Sequence, residues 1–255
     1  MLTVEQRSYF DTFGFLCMRQ YFSPAEMEAI IREFDDVMTE DRQGQPFAGE
    51  GQSVGHIVEQ RPLLTQFVED DRIYKVIEEL MEPGFIWSGS ECNLTVNEEH
   101  RWHADRQGKA EVDYIRIKIM LYLDQVTKDT GCLRVMPGSH RLPFHTDLEP
   151  LIAQNADSSM MTFGVEGSDL PCFPLEAQPG DVVFFNHCLW HAIFGGWAGR
   201  RYIALKFAAK PKNDAHIASL RRWSEYAFHP HEAFVNSNRP RIRSMVENIV
   251  GLDSQ

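Results

Sequence analysis

No stretch of this chain is apolar for long enough to cross a bilayer, which takes about 18 consecutive hydrophobic residues, so no membrane span is expected. The opening Met1-Leu2-Thr3-Val4-Glu5-Gln6-Arg7 lacks the apolar core of a secretion signal, and the expected setting is the cytoplasm. Cysteine is scarce and odd in number: Cys17, Cys92, Cys132, Cys172 and Cys188, with no Cys-x-x-Cys among them. Neither a zinc knuckle nor a disulfide framework is indicated. Positive charge is short as well. Lysine and arginine total 25 against 37 acidic residues, a formal charge of −12. That argues against nucleic acid or an anionic membrane surface as a partner, while leaving room for a local basic pocket. Internal repeats, low-complexity tracts and linkers are missing too, so residues 1–255 are expected to form one domain.

What is present first is helix. Thr3 is a candidate N-cap for a segment carrying Tyr9, Phe10 and Phe13, which Gly14 stops before the short apolar run Phe15-Leu16-Cys17-Met18. Ser23-Pro24-Ala25-Glu26 joins a cap residue, a proline at the first helical position and a glutamate three after the cap. Met27, Ile30, Ile31, Phe34 and Val37 continue it at helical spacing, as a stripe facing the core. Residues 62–81 form another amphipathic helix, with a break expected near Asp70-Asp71 and an end at Pro83-Gly84. Between the two, residues 41–56 are rich in glycine and read as a mobile loop, of which 44–55, with His56, is a candidate lid.

From Phe85 onward short β-rich runs alternate with turns: 85–96, 112–123, 133–136, 160–165, 182–189 and 201–208. The clearest puts Ile115, Ile117, Ile119, Leu121 and Leu123 on one face and Arg116, Lys118, Met120 and Tyr122 on the other. Many short strands with turn signals, preceded by helices, predict a mainly β, α+β fold: a cupin-like jelly roll. Its helical support is expected over about 1–84, its core over about 85–208, and a packing segment rich in aromatics over about 209–255. In that last segment Arg239, Arg241 and Arg243 read as a solvated patch.

Chemistry enters at Trp102-His103-Ala104-Asp105. An imidazole and a carboxylate two residues apart share one face of an extended segment. A second histidine would complete a 2-His-1-carboxylate set suited to Fe(II). Downstream, Pro179-Gly180-Asp181 turns into the apolar strand Val182-Val183-Phe184-Phe185, which runs on to His187 and His191. Gly195-Gly196 turns again, and Arg200-Arg201 opens the next strand. Two adjacent antiparallel strands would bring His191 and Arg201 into one cavity. His187 has the same facing and stays a competing ligand, with His191 preferred because it borders the turn leading to Arg201. Three protein ligands leave room on iron for a 2-oxo acid and dioxygen. The far carboxylate of 2-oxoglutarate would then want the bidentate fork of an arginine.

Together, His103-x-Asp105, the run Asp129-Thr130-Gly131-Cys132-Leu133-Arg134-Val135-Met136-Pro137-Gly138-Ser139-His140, and Pro179-Gly180-Asp181 through His191 to Arg201 resemble the phytanoyl-CoA dioxygenase family. The opening through Gly14-Phe15-Leu16 and Phe22-Ser23-Pro24-Ala25-Glu26 is similar to that family's start, so the resemblance covers most of residues 2–208. It implies a double-stranded β-helix, Fe(II), and 2-oxoglutarate as co-substrate. His103, Asp105 and His191 would be the metal ligands, and Arg201 would hold the distal carboxylate. It also implies hydroxylation rather than chlorination, because chlorinating relatives lack the carboxylate that Asp105 provides.

One departure stands out. Many members read Gly-Ser after the distal histidine, the serine touching 2-oxoglutarate; here Ala192-Ile193 stand instead. Tyr122 or Lys118 are candidates to replace that contact, and Asn93, just upstream of the iron motif, to bind co-substrate or substrate. Trp102, Trp190 and Trp197 flank the expected site. Arg116, Lys118 and Arg134 are candidates to meet an anion. The expected partners are dioxygen and a small, polar or anionic metabolite. The competing readings are a cupin-type metal enzyme that does not use 2-oxoglutarate, and a metal-binding sensor or pseudoenzyme.

Overall fold

The alternation over residues 115–123 asks for two different environments, and two antiparallel sheets packed face to face supply them. The computed structural model describes residues 1–95, 99–157 and 161–250. Its strands are β1 (Phe15–Met18), β2 (Gln52–Gly55), β3 (Ile86–Thr95), β4 (His100–His103), β5 (Arg116–Tyr122), β6 (Leu133–Val135), β7 (Phe173–Leu175), β8 (Val182–Asn186), β9 (His191–Ile193) and β10 (Arg200–Ala208). The large sheet has the order β1-β8-β5-β10-β3-β2 and the small sheet β4-β9-β6-β7. From β7 to β10 the chain changes sheet at every step, which is the jelly-roll path expected from the sequence.

The two faces of the large sheet differ as the alternation requires. Ile117, Ile119 and Leu121 of β5, with Ile203, Leu205 and Phe207 of β10, pack outward against Phe34, Phe67, Ile73 and Val76 of the helical layer. Each such fully buried side chain contributes roughly 1.5–3 kcal/mol. Met120, Tyr122, Val183, Phe185 and Ala204 face inward, toward Leu133, Val135 and Ile193 of the small sheet. The outer face of the small sheet buries Trp102, Trp190 and Phe194.

The helical layer begins where the sequence says it should. Helix Val4–Phe13 and helix Pro24–Asp41 each open with a reciprocal capping box, Thr3 with Gln6 and Ser23 with Glu26. The first ends at Gly14, at φ +82°, where a Cβ would fall 2.5 Å from His140 Nδ1. The predicted break at Asp70 is real: helix Pro62–Glu69 ends there, and the Asp70 carboxylate accepts from Arg72 N to start helix Asp71–Met81. The Arg72 guanidinium also reaches Glu26 at 2.6 Å and lies 4.0 Å over the Phe22 ring, binding two helix starts together.

Some expectations fail, for physical reasons. Residues 52–55 of the supposed loop pair with β3, because an edge strand needs only backbone groups to extend a sheet. Residues 161–165 form turns, not a strand; Met160, like Val96 at the end of the first run, lies outside the described residues. The C-terminal segment does pack on the body, through Phe228, Phe234, Ile242, Met245 and Ile249. Its arginines are not a free patch: Arg239 pairs with Glu69, Arg241 with Asp71 and Arg243 with Glu247. Among the described residues no helix is long and apolar enough to cross a membrane.

Candidate metal centre and the cavity beside it

β4 and β9 run antiparallel with His103 directly opposite His191, which brings the ring centroids to 4.3 Å. Each ring is fixed by its own backbone. His103 Nδ1 lies 2.7 Å from the Arg101 carbonyl, and His191 Nδ1 lies 2.8 Å from that of Leu189. A carbonyl can only accept, so Nδ1 carries the proton in both and Nε2 is left with a free lone pair. Asp105 follows two residues after the strand, with Oδ1 3.9 Å from His191 Nε2. The ligand atoms of His103, Asp105 and His191 all lie within 4.8 Å of one another.

The electrostatics suit a cation. Burial pushes the Asp105 carboxyl up, but Lys118, His191, His187 and His103 outweigh it and hold the group well below its ordinary range. Burial and then His103 pull His191 down to about 3, so it is a neutral ligand at physiological pH. Asp105 Oδ2 has no hydrogen-bond partner; the nearest cation, Lys118 Nζ, is 3.7 Å away. Two imidazole nitrogens and one carboxylate, converging with an unsatisfied oxygen, fit a divalent ion with open coordination positions. His187 does not join them. It is buried, with neither ring nitrogen partnered.

Of the residues expected to hold the co-substrate, three face inward. Tyr202 pairs with Tyr122 on one side and Asn93 on the other, a single row across β5, β10 and β3. The Tyr122 hydroxyl and Asn93 Nδ2 are buried without partners. Lys118 sits nearer the metal centre, 3.5 Å from Glu91. Arg201 does not meet the expectation. Its guanidinium points out of the sandwich, 2.7 Å from Asp124 and 3.0 Å from Asp35 on helix Pro24–Asp41. The reason is parity: with Tyr202 inward, Arg201 must face outward and Arg200 inward.

Arg200 is the residue that the sequence reading missed. It is 1% exposed, its Nε donates to Thr95 Oγ1 at 3.3 Å, and its Nη1 donates to the Gly131 carbonyl. Gly131 sits at φ +84°, and a Cβ there would stand 2.8 Å from that Nη1, so the loop leaves room for the guanidinium only as glycine. Burial pushes the Tyr202 hydroxyl up, while Lys118, Glu91, Arg200 and Asp105 all act on it. Tyr202 thus stands between the metal end of the interior and Arg200.

On the other side of Asp105 lies a cavity of about 270 Å³, walled by Ser88, Arg106, Lys118, His187 and Lys206. The C-terminal segment closes it with Trp223, Ser224 and Tyr226, a contribution that nothing in the local sequence announces. No residue of the expected lid, 44–55, lines it; His56 meets only the lining residue Tyr226, the two rings tilted with centroids 4.0 Å apart. Trp102 and Trp190 belong to the outer core of the small sheet, and Trp197 is 38% exposed. Arg116 is buried beside Glu111 and Ser219, and Arg134 donates to the carbonyls of Ser168 and Lys128, so neither meets the cavity. A larger cleft, about 350 Å³, lies against Trp102 and Phe194, and none of the three ligands lines it.

Comparison with known proteins agrees with this geometry. The family model described as phytanoyl-CoA dioxygenase matches residues 10–194. Dioxygenase lolE1 of Epichloe uncinata is 31% identical over 91 residues, 36% of this chain and 32% of the relative, so the match spans about a third of that protein's length. HygX from Streptomyces hygroscopicus, solved with nickel and 2-oxoglutarate bound, superposes with a TM-score of 0.67 at 20% identity, over 82% of this chain and 87% of its own. EctD from S. alaskensis, solved with bound Fe, gives 0.61 at 20% identity, over 82% and 77%. At such identities these two likenesses speak to the fold.

Proposed function

Since the chain belongs to the phytanoyl-CoA dioxygenase family, whose members are Fe(II)- and 2-oxoglutarate-dependent oxygenases, we propose that it hydroxylates a C–H bond of a small polar or anionic metabolite. The observation that carries this reading is the convergence of His103, Asp105 and His191 within 4.8 Å. Iron and 2-oxoglutarate, held there, would supply the oxidising power, one atom of dioxygen going to the substrate hydroxyl and the other to the succinate left by loss of carbon dioxide.

The protein's share is placement. His103 and His191 offer Nε2, and Asp105 offers Oδ1, while Lys118 draws on Oδ2 and keeps the carboxylate from turning. Arg200, not Arg201, would take the distal carboxylate of 2-oxoglutarate through its fork. Tyr122, whose hydroxyl is free, supplies the contact that Ile193 cannot; Ile193 packs on Leu133 in the apolar part of the interior. Asn93 completes that row. The reading takes the chain as one domain acting on a small molecule and dioxygen in the cytoplasm, a setting that its five free thiols suit.

The test is direct. Protein purified anaerobically is given Fe(II), 2-oxoglutarate and oxygen, and succinate is measured with and without a panel of small metabolites. Succinate release that needs iron supports the reading. Iron binding with no affinity for 2-oxoglutarate overturns it and leaves the cupin-type enzyme or the sensor.

A further inference from the structure

Lys118 of β5 and Lys206 of β10 are directly opposite one another across the ladder, on the inward face. Like charges in that relation destabilise a sheet, and here both ammonium groups line one cavity. Glu91 answers them in part, 2.7 Å from Lys206 and 3.5 Å from Lys118. Lys118 also lies 3.7 Å from Asp105, whose charge a bound metal would claim. Arg106 adds a third cation to the same wall. Ferrous iron and doubly charged 2-oxoglutarate would cancel each other. Three cations would then face two carboxylates, and the cavity would be one negative charge short.

Its unmet hydrogen-bonding groups point the same way. Ser88 Oγ, Arg106 Nε and both ring nitrogens of His187 are buried without partners, and all three residues line the cavity. Serine and arginine offer N–H or O–H, and a neutral imidazole offers one N–H, so the wall is rich in donors and wants acceptor oxygens. Size sets a bound: about 270 Å³ equals the share of about nine waters in the liquid, less than a drug-sized ligand needs.

Resting on the oxygenase reading above, we propose that the substrate is a compact anion, a carboxylate or a phosphate ester, whose charged oxygens sit between Lys118 and Lys206 while its target carbon faces the metal beside Asp105. Ser88 and His187 donate to its remaining oxygens, and Trp223 and Tyr226 close over it.

Two probes of like size carry the anion, lactate and glycerol 3-phosphate; glycerol and ethanolamine serve as the neutral and cationic counterparts. Anaerobic protein is loaded with Fe(II) and saturating 2-oxoglutarate, and each probe is titrated against the charge-transfer absorption of that complex. One or both anions should perturb the band at concentrations at least tenfold below those of glycerol and ethanolamine, and the better anion tells carboxylate from phosphate. Lys206→Met should weaken the anions about tenfold and leave glycerol unchanged, and Lys206→Arg should restore most of the loss. The exposed Lys212→Met should change nothing. Anions no better than glycerol, or a Lys206→Met variant that binds them as the natural protein does, overturn the proposal. If the iron complex gives no band at all, the oxygenase reading fails by itself. Anion preference is then measured by calorimetry on the metal-free protein, where the same order of probes is expected and its absence is equally decisive.

Discussion

The two sheets of the sandwich carry different kinds of information. The small sheet is made of strands of three or four residues, with a bulge between His100 and His103, and its β4-β9 pair holds both imidazoles. The large sheet has strands of seven to ten residues, β3, β5 and β10, in unbroken register over most of their length. It carries the inward charges and the row Asn93-Tyr202-Tyr122, and the helices back it. The two imidazoles are thus placed by local backbone geometry on a light framework, while the inward charged and polar groups are placed by long ladders over a deep core. Loss of a ligand should remove chemistry with little loss of fold, and changes on the large sheet should divide sharply by face.

The largest effect expected is that of Asp105→Ala. Changes to groups that merely support a ligand cost 10–100-fold, so loss of the ligand itself should lower succinate formation by at least about 100-fold. Its melting temperature should stay close to that of the natural protein, and an active variant would remove Asp105 from the metal site. Next comes a neighbouring pair. Truncating one partner of a buried charged contact costs about 2–5 kcal/mol, so Arg200→Met should raise the KM for 2-oxoglutarate at least about 30-fold, with Arg200→Lys in between. Arg201→Met should leave that KM alone and cost about 1 kcal/mol of stability, since its ion pairs are partly exposed. If the two variants exchanged these effects, the parity assignment would be wrong.

A third prediction concerns the seam between the helical layer and the loop after β6, where His140 packs under Gly14. Burial pulls its imidazole from the ordinary 6.5 down to about 4. The folded state therefore resists a proton that the unfolded chain accepts. Stability from this residue is complete above about pH 6.5 and is lost as pH falls from there to about 4, by at most about 3 kcal/mol. Denaturation midpoints across that window should fall less steeply in His140→Gln than in the natural protein; parallel slopes would show that His140 is not the group responsible. The smallest effect is on the outer layer. Ser23→Ala removes half of a capping box and should cost about 1 kcal/mol, a drop of about 2–4 °C in melting temperature, with succinate formation unchanged.

Much of this was legible in the chain. His103 and Asp105 are two apart where β4 gives way to a bend, a spacing that can be seen without knowing the strand boundary. The capping residues Thr3 and Ser23 act locally and could be seen locally, as could the break at Asp70-Asp71. The arginine could not be chosen so simply. Arg200 and Arg201 are adjacent, and only the cross-strand partners of Tyr202 say which one faces in. β4 escaped notice because His100-Arg101-Trp102-His103 has no apolar alternation, its pairing being with β9 far along the chain. The opposition of Lys118 and Lys206 depends on the same long-range register. So does the closure of the cavity by Trp223 and Tyr226, more than a hundred residues beyond Asp105.

The carbonyls of Arg101 and Leu189 fix the two imidazoles before any ion arrives. A cradle assembled in advance by the main chain selects poorly among ions of similar size, and affinity across the first-row divalent series then rises from iron through nickel to copper irrespective of which one the reaction needs. The protein would seize whatever its surroundings offer, and purification in the presence of nickel or zinc should yield an inert, tightly loaded form. Fidelity to iron is in that case a property of the cell's metal supply, and any measurement of this protein's rate begins with an account of which ion it carries.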